Sequence, residues 1–106
     1  MANVIKLNKP TQDFKYLVRK FIENNVDEYG LTIYHISLLK VIAEYCDMPE
    51  GHCFLSFEKI EKYTGMSPRQ RRRTTVDLIQ KKLIYQTTYY GKPKHYMGEY
   101  FSLEYD

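Results

Sequence analysis

A chain of 106 residues can bury one hydrophobic core but hardly two, so a single domain is expected. With 43% hydrophobic and 27% charged residues it has the composition of a soluble globular protein, and no apolar run approaches the ~18 residues needed to cross a bilayer, so no membrane association is expected. The net charge of +3 says little, but its placement says more: from Ser67 to Gly98 stand Arg69, Arg71, Arg72, Arg73, Lys81, Lys82, Lys92 and Lys94 against Asp77 alone, a local excess of +7 that leaves −4 for the remainder. Such a division predicts one basic face, suited to docking a polyanion on one side.

The first ten residues lack the long apolar centre and small-residue cleavage site of an export signal, so a cytoplasmic location is expected. Within them, Val4, Ile5 and Leu7 suggest an extended arm or short edge strand. Thr11 is a candidate N-cap for a helix from Gln12 to about Asn25, in which Phe14, Leu17, Val18, Phe21 and Ile22 fall at i, i+3, i+4, i+7 and i+8. This stripe either packs on the domain's own core or forms a homodimer contact.

A polar loop ending at Gly30 leads to Thr32, a candidate cap for a helix running to about Cys46, with Ile36, Leu39, Ile42 and Ala43 at helical spacing. His35, near its first turn, reads as a surface or internally satisfied side chain. After a turn over residues 47–51, Cys53, Phe54 and Leu55 form a run suited to a brief strand that pairs with the segment after the last helix. Cys46 and Cys53 are too few for a disulfide framework, and His35, His52 and His95 do not stand at the paired spacings of structural zinc, so neither a metal nor any other cofactor is expected.

Residues 56 to 64 predict a short helix carrying Phe57, Ile60 and Tyr63 and stopped at Gly65. Ser67 then supplies an N-cap and Pro68 the first helical residue of a segment reaching about Lys82. Its opening turns hold Arg69, Gln70, Arg71, Arg72 and Arg73, while Val76, Leu78, Ile79 and Leu83 are expected to hold it against the core. Arg71 stands three, four and seven residues before Thr74, Thr75 and Leu78, which directs it to the edge of the core. Residues 83–90 and 96–105 have strand composition, the second with Met97, Glu99, Phe101, Leu103 and Tyr105 on one face. Between them Gly91, Lys92, Pro93, Lys94 and His95 are expected to form a basic tip.

The order helix, strand, helix, turn, helix, hairpin, with Leu55-Ser56, Gly65-Met66-Ser67, Arg69, Arg73, Leu78 and Leu83-Ile84, resembles the winged helix-turn-helix family, of the type found in phage and plasmid replication or regulatory proteins. The likeness covers residues 32–105. It departs from the family pattern at Gln70 and Arg71, where threonine and a buried valine are usual, and at Lys82, where glycine usually precedes the final apolar pair.

The resemblance implies a mainly α domain with a small β-sheet (α+β): an arm and extra helix over 1–31, a helical core over 32–82 and a wing hairpin over 83–106. It implies a non-enzymatic protein that binds double-stranded DNA sequence-specifically, serving transcription, replication or mobilisation in a mobile element, with a replication or mobilisation protein as a further candidate partner. The helix from Pro68 would enter the major groove, with Arg72 and Arg73 the first choices for guanine and Arg69 and Gln70 the second. Ser67 and nearby amides would hold a phosphate, and Lys92, Lys94 and His95 would touch the flanking backbone or minor groove.

Two other readings come from the residues. The domain could be a protein-interaction module, or Tyr85, Tyr89, Tyr90, Tyr96, Tyr100 and Tyr105 could stack on single-stranded nucleic acid. Catalysis is not expected: the chain has no phosphate-cradling glycine loop, and Glu58, Glu61 and Asp77 read as dispersed helix-surface carboxylates, solvated or paired with neighbouring lysines at helical spacing.

Overall fold

The computed structural model describes residues 14–47 and 51–101, which form a small α+β domain of helices and one three-stranded antiparallel sheet. In chain order these are α1 (Phe14–Asn25), α2 (Ile33–Glu44), β1 (His52–Cys53), α3 (Phe57–Thr64), α4 (Pro68–Gln80), β2 (Ile84–Tyr89) and β3 (Lys92–Met97), followed by a 3-10 turn at Glu99–Phe101. The expected N-terminal arm, the Thr11 cap and the positions of Leu103 and Tyr105 lie outside the described residues.

The caps sit where side-chain chemistry places them. The hydroxyls of Thr32, Ser56 and Ser67 each accept the backbone N–H three residues on, and Gly65 ends α3 in a left-handed conformation with φ 75°. The end of α4 is more instructive. Lys82 N–H donates to the Ile79 carbonyl at 2.9 Å and Leu83 N–H to the Leu78 carbonyl at 3.0 Å, the paired bonds of a Schellman motif. That motif needs a left-handed residue at its corner, and here it is Lys82, with φ 61°. Leu78 and Leu83, both fully buried, close the motif with an apolar contact.

One core cluster joins the elements, with Leu17, Phe21, Leu39, Ile42, Ile60, Leu78, Leu83, Ile84 and Phe101 among its members. Phe14, Leu17, Val18 and Phe21 are all buried in it and Ile22 packs partly against it. The Phe21 ring meets those of Tyr29 and Phe101 with centroids 5.1 Å away in each case. The α1 stripe is thus turned onto the domain's own interior, the first of its two expected readings.

The sheet also departs from expectation at its C-terminal half. The hairpin turns at Tyr90-Gly91, with φ 49° and 76°, and Tyr89 pairs with Lys92. Two successive positive φ values make this a two-residue connection of the I′ kind, whose twist matches the flanking strands. Lys92, Pro93, Lys94 and His95 are therefore strand residues, while Glu99 to Phe101 are a 3-10 turn and not the expected strand. Sheet order is β1-β3-β2, but β1 pairs only with His95 and Tyr96, so Pro93 lies where β3 has no neighbour on its far side. A proline there removes no ladder hydrogen bond.

Candidate nucleic-acid interface

The chemistry of the basic segment is decided by which side of α4 each residue occupies. Arg71, Thr74, Thr75 and Leu78 face inward, and the threonine hydroxyls are satisfied locally: Thr74 Oγ1 donates to the Gln70 carbonyl at 2.8 Å and Thr75 Oγ1 to the Arg71 carbonyl at 2.7 Å. The outward stripe is Arg69, Arg72, Arg73, Val76, Asp77 and Gln80, all exposed. Val76, expected to help anchor the helix, stands on the side opposite Leu78 and is 51% exposed. The buried period is carried by polar residues, which residue type alone conceals.

Arg71 is held apart from its basic neighbours. Its Nε donates to Glu61 Oε2 at 3.0 Å, and its guanidinium carbon stands 3.9 Å from the centre of the Phe57 ring. This locks α4 to α3 across the turn. Glu61 is consequently part-buried and paired with an arginine on the next helix, neither solvated nor held by a neighbouring lysine as expected. Arg69, Arg72 and Arg73 have no carboxylate within ion-pair distance among the described residues. Ser67 and Pro68 lie exposed at the helix start, with Ser67 Oγ accepting from Gln70 N–H at 3.1 Å. The Gln70 side chain turns back along the helix, its Nε2 donating to Thr74 Oγ1 at 3.0 Å.

A second tie fixes α4 to α2. Thr32 N–H donates to His35 Nδ1 at 2.9 Å, completing a capping box, so the ring presents Nε2–H to Asp77 Oδ2 at 3.4 Å. Beside this contact an open cleft of about 600 Å³ runs between the start of α2 and the outward side of α4, bordered by Tyr34, His35, Arg72, Arg73, Val76 and Asp77. His35 is therefore an internally satisfied residue, as one of its two expected readings had it. The His35–Asp77 link spans 42 positions of sequence, and no local spacing announces it.

The hairpin divides the remaining basic residues. Lys92 is exposed beside the turn. Lys94 is a strand residue whose ammonium lies 5.1–5.6 Å from the ring centres of Tyr96, Phe54 and Tyr89. His95 does not reach the tip. It faces the core from β3, 0% exposed, with Gln86 Nε2 at 3.3 Å from its Nε2 and no hydrogen-bond partner for Nδ1. Burial, and then the charge of Arg71, push its pKa down to about 4. The expectation that His95 contacts a ligand is corrected: alternation along β3 turns it inward once the turn moves to Tyr90-Gly91.

No family model, curated protein or solved structure matches this chain. What can be said of the site therefore rests on its own side chains. Among the described residues no group of three His, Cys, Asp or Glu could hold a metal ion. Cys46 Sγ donates to the Gly51 carbonyl at 3.3 Å, and burial pushes both thiols, Cys46 and Cys53, upward from their ordinary range. Neither is poised as a thiolate. Among those residues, too, no helix is long and apolar enough to cross a membrane.

Proposed function

We propose that this chain is a winged helix-turn-helix domain that binds double-stranded DNA sequence-selectively, with α4 in the major groove and the β2–β3 hairpin as its wing. The observation that carries this reading is the sorting of the arginines. One, Arg71, is consumed in locking α4 to α3, while Arg69, Arg72 and Arg73 project from a single outward stripe with no carboxylate among the described residues to satisfy them. Guanidinium groups in that arrangement suit phosphates and the O6/N7 edge of guanine. Arg72 and Arg73 take the base-reading role, and Arg69 and the exposed helix start the phosphate role. The left-handed Lys82 supports the fold reading, since the position where this family carries glycine has the backbone conformation glycine favours.

The test is selection from a random duplex pool, followed by titration of the selected site at several salt concentrations. A defined site and a log–log salt slope of several ions are expected. Arg72→Ala should cost about 1–3 kcal/mol on that site and far less on random duplex. Equal losses on both would remove Arg72 from the reading role.

One observation favours a second reading. Tyr85 and Tyr89 on β2 and Tyr90 in the hairpin turn are exposed, with the Tyr89 ring meeting those of Phe54 and Tyr90, and such rings can stack on unpaired bases. Competition by single-stranded DNA equal to that of the selected duplex would favour it.

A further inference from the structure

The outward stripe of α4 contains one side chain that neither charge nor packing accounts for. Val76 follows Arg72 by four residues and Arg73 by three, so it sits directly above them on the same side of the helix. It is half exposed, and valine is a poorer helix former than the alanine, lysine or glutamine that a solvated position ordinarily accepts. It borders the cleft together with the two arginines, so a surface that fills the cleft meets all three residues.

In the major groove of B-DNA only one apolar group is displayed by any base pair, the C5-methyl of thymine. Resting on the duplex-binding reading above, we infer that Val76 is a specificity-determining residue that packs on a thymine methyl. The spacing sets where. A helix rises 1.5 Å per residue, which places Val76 about 4.5 Å beyond Arg73 and about 6 Å beyond Arg72 along the axis. Side chains this close on one helix face reach neighbouring base pairs, so the thymine lies within about two pairs of the guanine that an arginine reads. The recognised element is thus a guanine with a methylated pyrimidine close beside it.

The experiment replaces each thymine of the selected site in turn by deoxyuridine, which removes the methyl and leaves every hydrogen-bonding edge intact. The guanines are assigned first, as those whose preference disappears in Arg72→Ala or Arg73→Ala. Wild-type protein should lose about fourfold in affinity at one thymine within two base pairs of such a guanine, the effect of one buried methyl. Val76→Ala, a solvent-facing change to a better helix former whose thermal unfolding should equal or slightly exceed that of wild type, should bind the thymine and deoxyuridine sites equally well.

Guanine preference without any deoxyuridine effect, or an effect that persists undiminished in Val76→Ala, overturns the role of Val76 and leaves the duplex reading standing. Absence of duplex binding overturns both.

Discussion

Arg71 and Glu61 form an ion pair across the turn between α3 and α4, Nε to Oε2 at 3.0 Å, although Arg71 is only 5% exposed. A buried pair of this kind contributes little net stability, because desolvation offsets most of the attraction, yet its members are unequal when one is removed. Glu61→Ala leaves a guanidinium without its counter-charge and should cost about 3 kcal/mol, whereas Arg71→Met keeps an apolar stem against Phe57 and should cost less than half of that. Urea unfolding of both variants decides the point, and equal losses would mean that the pair acts by packing alone.

Acid should destabilise the domain through His95. The folded protein holds this ring neutral, with its pKa near 4, whereas in the unfolded chain it protonates near 6.5. Between those values the unfolded state takes up a proton that the folded state refuses. The contribution is therefore complete above pH 6.5 and is lost as pH falls towards 4, by up to about 3 kcal/mol. Unfolding free energies at pH 7.5 and 5 should differ more for wild type than for His95→Leu. A His95→Leu profile as steep as wild type would assign the acid sensitivity to other groups.

Two substitutions at the end of α4 should act in opposite directions. Lys82→Gly relieves a side chain from a left-handed backbone and should add about 0.5–1 kcal/mol of stability. Gly98→Ala should remove about 2 kcal/mol or more, since a Cβ there would run into the Lys82 carbonyl. Thermal unfolding of the two variants is sufficient to check both.

The two hairpin lysines should separate in a paired measurement of stability and binding. Lys92→Ala should leave the melting temperature unchanged and lower the salt dependence of duplex binding by about one ion. Lys94→Ala removes a cation ringed by Phe54, Tyr89 and Tyr96 and should cost about 1 kcal/mol of stability. Identical stability of the two variants would show that the ring contacts of Lys94 contribute nothing.

Much of this architecture is legible in local chemistry. Thr32, Ser56, Ser67 and Gly65 mark helix ends because each satisfies or relaxes the backbone within a few residues. The position of the hairpin turn is not, for an equally physical reason. Lys-Pro-Lys looks like a loop, and only the short reach of β1 makes Pro93 acceptable in a strand. That shift carries His95 from the expected tip into the interior. The candidate site is legible as a basic stretch but not as a surface. Arg71 finds Glu61 ten residues away and Asp77 finds His35 across 42, distances over which periodicity has no say.

The glycine after β3 has a mechanical effect as well. Gly98 N–H donates to the Leu83 carbonyl at 2.7 Å, so the strand leaving the hairpin is riveted to the corner where α4 ends. The hairpin cannot pivot at its root independently of that helix. Lengthening β2 and β3 by matched pairs would carry the tip farther from a fixed root, with the twist of the ribbon turning the tip as its reach grows.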